Sequence, residues 1–175
     1  MRTSTSISLA TVGLAAVVAG ALTVGSVPVA TATPGGPAQH AGTALTLSAE
    51  TEQFAVVDVG SPGPALGLGD QIVSSDRLTR FGKPAGRGAT VMTVVATSPT
   101  ALTTQILTTL DLPDGQIILQ GIGDGPTGPP TDPVQFTLAV TGGTGRYQSA
   151  HGSADIVDRP GGVESIVIRL TTGRS

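Results

Sequence analysis

Few side chains in this sequence are of a type that does chemistry, so each can be weighed singly. There is no cysteine, hence no thiolate nucleophile and no disulfide. The two histidines, His40 and His151, lie far apart in the chain. A lone histidine without a second ligand or a placed carboxylate makes neither a zinc site nor a triad. No G-x-S-x-G, H-E-x-x-H or Walker-type loop occurs. What remains is carboxylates, amides and a few cations. Asp76 is the strongest candidate: as a pocket carboxylate it would protonate, deprotonate or orient a ligand. Its bland alternative is a strand-end aspartate satisfied by backbone amides. Asp58 and Asp70 flank glycine-rich loops, where aspartate commonly ties down a turn. Gln53 would donate or accept a hydrogen bond in a lumen if its strand register points it inward, and is otherwise an ordinary surface amide. Lys83, Arg87 and His151 read by default as solvated or structural, and Tyr147 as packing. The acidic stretches DLPDG and GIGDGPTGPPTD lack the dense oxygen spacing of a calcium loop. No metal or cofactor is expected.

The elements that must carry these residues are strands. Of 175 residues, 25 are glycine and 13 proline, and alanine, valine and threonine are plentiful. Such a mixture suits many short strands joined by turns. The net charge of −3 leaves no basic footprint for nucleic acid. Residues 1–32 read as a secretory signal peptide: Met1-Arg2, an apolar run from Ile7 to Val24, then Ala30-Thr31-Ala32 as a cleavage site. The rival reading is an uncleaved membrane anchor. Cleavage implies a secreted protein with no stable membrane anchor. Residues 33–42 read as a flexible linker, and 43–175 as the folded domain.

Within that domain, strands are expected over Thr43 to Val59 (broken near Glu50), Gln71 to Leu78, Ala89 to Thr97, Leu102 to Leu110, Gly115 to Gly121, Val134 to Val140, Tyr147 to Val157 and Val163 to Leu170. Gly123 to Pro133 is expected to be a loose loop. Val134, Phe136, Leu138 and Val140 share one face, and Gln135, Thr137 and Ala139 the other. The run TGGTG at 141–145 suggests a tight reversal between two strands. No helix is long enough to cover a sheet, so the set must close on itself or form a sandwich. The economical solution is all-β, a closed eight-stranded antiparallel β-barrel, able to hold side chains or one small ligand.

Several stretches then resemble the allene oxide cyclase barrel family and its relatives, the dirigent proteins. They are Asp58 to Pro62 (DVGSP), Gly67 to Asp70 (GLGD), Asp76 to Thr79 (DRLT), Gly82 to Gly86 (GKPAG), Gly115 to Gly121 (GQIILQG) and Leu138 to Gly152 (LAVTGGTGRYQSAHG). The resemblance implies the barrel and places TGGTG at a hairpin between two of its strands. It also implies site residues. The cyclase glutamate and asparagine correspond to Gln53 and Ala55, so the acid is replaced by an amide. The cyclase cysteine corresponds to Gly88. Ser61 and Pro62, which help hold a water in the cyclases, match. Asp76 stands where the cyclases have a water-binding asparagine, and Lys83 falls near a dirigent arginine. The expected catalytic set is therefore Asp76 with Gln53 and Lys83, and the expected ligand contacts are Ser61, Pro62, Ala55 and Gly88. The family's tendency to trimerise makes a homotrimer an expectation.

Two functions follow. One is a secreted cyclase, isomerase or dirigent-like protein that guides cyclisation or coupling of a reactive apolar intermediate. The other is a non-catalytic secreted barrel that binds an apolar small molecule or serves a structural role. With three phenylalanines and one tyrosine in the chain, an aliphatic lumen is expected rather than an aromatic cage. An open lumen with Asp76 pointing inward would favour the first function, and a lumen filled by side chains the second.

Overall fold

The computed structural model describes residues 43–60, 65–128 and 130–172. The expected signal peptide, the linker, and Ser61 and Pro62 lie outside the described residues. Eight strands run β1 Thr43–Val57, β2 Gln71–Arg80, β3 Lys83–Thr97, β4 Ala101–Leu112, β5 Gly115–Pro126, β6 Val134–Gly143, β7 Ala150–Arg159 and β8 Val163–Thr172. All neighbours pair antiparallel, and β1 pairs with β8 as well as β2. The sheet is thus a closed barrel and not a sandwich. Closure removes both edges and satisfies the outermost ladder groups.

Alternation along each strand sets the two faces. In β4, Leu102, Thr104, Ile106, Thr108, Leu110 and Leu112 are buried, while the intervening residues face out. Exposed ion pairs such as Arg77–Glu50 and Arg87–Asp111 decorate the outer wall. Pairs this exposed contribute little to stability. The inner wall is Leu, Ile and Val, with its tightest packing toward one pole. There Leu47, Leu78, Leu110, Ile117, Leu119, Ile166 and Ile168 are almost completely buried. This lower pole carries the β2–β3, β4–β5 and β6–β7 connections. The upper pole carries the other turns.

Several boundaries differ from expectation; β3 begins at Lys83 rather than Ala89, and β1 runs unbroken past Glu50. Gly123 to Pro126, expected in a loose loop, extends β5, because its partner β4 runs opposite to it as far as Ala101. Tyr147, expected to begin a strand, ends a 3-10 turn at Gly145–Tyr147, and β7 begins at Ala150. Tyr147 packs against the core cluster. The β6–β7 reversal is held by backbone bonds from Thr144 N to Gln116 O and from Arg146 N to Asp114 O, both 2.9 Å. They tie it to the start of β5.

The β5–β6 ladder is short. Pairing runs only over Ile117 to Gln120 against Gly143 to Ala139. Above it the two strands separate, and the Phe136 ring lies against Gly123, where an added Cβ would come within 2.2 Å of it.

Candidate functional site

The upper half holds an apolar chamber of about 470 Å³ that is open to solvent on one side. Phe54, Ile72, Met92, Leu102, Val134 and Phe136 form much of its wall. A smaller chamber of about 270 Å³ adjoins it and shares Phe54, Ile72, Met92, Pro130 and Asp158. The smaller one is also lined by Thr51, Ser74 and Glu164. The apolar wall and a set of carboxyl groups therefore meet at Asp158.

Three acids belong to this end. Asp76 projects from the inner face of β2, one inward position below Ser74, and is 5 % exposed. Its Oδ1 has no hydrogen-bond partner. Burial pushes the Asp76 carboxyl above the ordinary aspartate range, opposed by a hydrogen bond from the Thr51 side chain, and the charge of Glu52 adds to the rise. Asp158 and Glu164 stand directly opposite each other on β7 and β8. Burial and the nearby Asp76 charge raise Asp158. Burial first, then Asp76 and Asp158, pushes Glu164 to about 7. A carboxyl so placed is half-protonated at neutral pH, where it can give or take a proton.

The structure brings together some of the expected residues. Gly88 lies across from Asp76 in the β2–β3 ladder, and a Cβ there would stand 3.2 Å from Asp76 Oδ2. The missing side chain is what leaves room for the carboxylate. Gln53 and Ala55 are on the outer wall. The register of β1 against β2 shifts between Thr51 and Gln53, so Phe54 and Val56 share the inner face with Ser74 and Ile72 while remaining exposed, and Gln53 pairs with Ser75 outside. There Gln53 lines a polar groove with Arg87 and Asp111, and Asp76 and Gly88 border the same groove. Lys83 is exposed at the lower-pole end of β3, five residues from Gly88 and roughly 16 Å along the strand. Asp70 has a structural position: its carboxylate accepts from the amides of Val59 and Gly67, at 2.9 and 2.7 Å.

Asp158 and Glu164 were not among the sequence candidates. Their signal was parity: Asp158 shares its strand face with Ala154 and Ile156, and Glu164 with Ile166 and Ile168.

No family model matches the chain, and no curated protein sequence matches it significantly. Solved structures do. Pyocyanin demethylase is 28 % identical with a TM-score of 0.59, covering 74 % of this chain and 100 % of its own. The Diels-Alderase AbmU from Streptomyces koyangensis is 18 % identical with a TM-score of 0.55, covering 78 % of this chain and 72 % of its own. A pterocarpan synthase dirigent protein is 17 % identical with a TM-score of 0.53, covering 77 % and 87 %. At these identities the last two show a shared barrel and nothing more.

Proposed function

We propose that this chain is an exported barrel that draws an apolar small molecule into its upper half and guides its cyclisation, rearrangement or coupling. The observation that carries the reading is the buried, unpartnered oxygen of Asp76 within electrostatic reach of the facing Asp158–Glu164 pair, which lines the smaller chamber. The apolar wall would restrict the conformations of the substrate, which lowers the entropic part of the barrier. The acids would move a proton or stabilise positive charge as it develops. Glu164 is tuned for the first role at neutral pH. Asp76, held by Thr51, is suited to the second. The barrel-shaped Diels-Alderase and dirigent protein are consistent with a barrel that guides ring closure or coupling. Export is proposed on the character of residues 1–32 alone.

The likeness to pyocyanin demethylase, which extends over the whole of that chain, supports a second reading in which the reaction removes a methyl group from an aromatic substrate. One experiment separates the two. The purified protein is incubated with polyene and polyketide extracts and, separately, with pyocyanin, and products are identified by mass spectrometry. An isomer of unchanged mass, or a coupled product of combined mass, supports the first reading, and loss of a methyl group the second. Asp76→Asn should lower turnover by about a hundredfold in whichever assay works. Unchanged turnover in that variant would remove Asp76 from the mechanism. Recovery of bound but unaltered ligand would assign the chain to non-catalytic binding.

A further inference from the structure

Three carboxyl groups, from Asp76, Asp158 and Glu164, project inward, and none has a cationic partner among the described residues. The arginines are engaged elsewhere. Arg77 pairs with Glu50, Arg87 with Asp111, Arg146 with Asp114 and Arg169 with Asp155, all through exposed side chains. Arg80 lies over the Phe81 ring, 5.2 Å from its centroid. Lys83 sits at the lower pole. Arg159 follows Asp158 on β7 and so alternates to the other face of the sheet; it is exposed, and it lines the smaller chamber without an ion pair to Asp158 or Glu164.

A buried carboxylate without a counter-charge is costly, and carboxylates that share one site cost more. Proteins ordinarily relieve this with a lysine or arginine. Here the position of the counter-charge is open to the chamber, and Asp158 lines both the acidic and the apolar parts of it. Resting on the reading of the lumen as the binding site, we propose that the barrel selects organic cations: a quaternary or protonated nitrogen on an apolar frame. The charge sits over Asp158 and Glu164, with Asp76 beneath them. The frame lies against Phe54, Ile72, Met92 and Phe136. The ligand supplies the charge the lumen lacks.

The test uses two probes of one shape that differ by one charge, N-methylquinolinium and 1-methylnaphthalene, titrated into the full-length protein at pH 8 by calorimetry. The cation should bind at least about tenfold more tightly. That preference should shrink below about threefold in Asp158→Asn and in Glu164→Gln. It should survive in Asp132→Asn, which removes the same charge from an exposed loop. On the unmodified protein near pH 6.5, uptake of the cation should release protons, read from the dependence of the heat on buffer ionisation, and uptake of the neutral probe should release none. Equal affinity for the two probes, without proton release, overturns the charge selectivity and leaves the lumen as the binding site. A preference that Asp158→Asn and Glu164→Gln leave intact moves the cation to the outer wall and also overturns it. Binding of neither probe overturns the lumen reading as well.

Discussion

Glu164 carries a consequence for stability that its neighbours make readable. In the folded chain its carboxyl keeps a proton up to about pH 7, whereas the ordinary glutamate value is 4.5. Between those limits the folded state binds more protons than the unfolded state, so stability falls as pH rises. The contribution is fully present below 4.5 and lost as pH passes 7. Its size is on the order of 2–3 kcal/mol. Glu164→Gln removes the ionisation while keeping the shape. The variant should therefore melt several degrees above the parent at pH 8 and within a degree or two of it at pH 4.5. Asp76 and Asp158 shift in the same direction and leave a residual slope. Thermal melts across that range decide the matter, and two parallel profiles would mean that Glu164 is not the strained group. Gly88 offers a second probe of the same acids. An alanine Cβ would meet Asp76 Oδ2 at 3.2 Å and Asp76 Cβ at 3.4 Å. Gly88→Ala should cost about 1 kcal/mol in urea denaturation and displace the Asp76 carboxylate, visible as a changed carboxyl titration by NMR. An unmoved titration would place the acid away from Gly88.

At the scale of elements, Gly143 and Gly145 of the β6–β7 reversal act through close backbone approach. A Cβ on Gly143 would stand 2.2 Å from Gln116 O and 2.6 Å from Tyr147 O, both backbone atoms that cannot swing aside. Gly143→Ala should cost about 2–4 kcal/mol. Gly125, with nothing within 4 Å, should tolerate alanine within about 0.5 kcal/mol. Chemical denaturation of both variants checks the contrast, and equal losses would contradict the packing of the reversal against β5. Strands of this kind were legible in the sequence because one face is buried and the other wet, as Val134 to Val140 displays. The end of β5 was not, since Gly123-Asp124-Gly125-Pro126 has turn composition and is held in the sheet by β4. Gln53 was misaddressed by one residue of register: the shift after Thr51 inverts every side chain beyond it, and no local composition announces it. Asp76 was legible as a candidate, although its lack of a partner depends on what other strands bring opposite. Asp158 and Glu164 had the parity of buried neighbours, but a single acid near a strand end is ordinarily solvated.

Across the barrel as a whole, the tight packing and the proposed binding chamber fall on different poles. The lower half is filled by Leu and Ile side chains that are almost fully buried, while the upper half keeps apolar walls but leaves about 470 Å³ between them. Apolar surface facing an open chamber gives little of the packing energy that the lower pole supplies. The two halves should therefore answer differently to substitution. Ile117→Ala, at a position with 0 % exposure in the lower core, should cost about 2–5 kcal/mol and leave the affinity of the folded molecule for 1-methylnaphthalene unchanged. Met92→Trp sits in the wall shared by both chambers and adds bulk where there is space for it. It should keep the melting temperature within a few degrees and reduce binding of the same probe by at least about tenfold. Calorimetric titration together with thermal melts of the two variants reads both quantities. If Met92→Trp binds the probe as tightly as the parent does, the probe lies outside the upper half, and the chamber, for all its apolar wall and acids, is not its binding site.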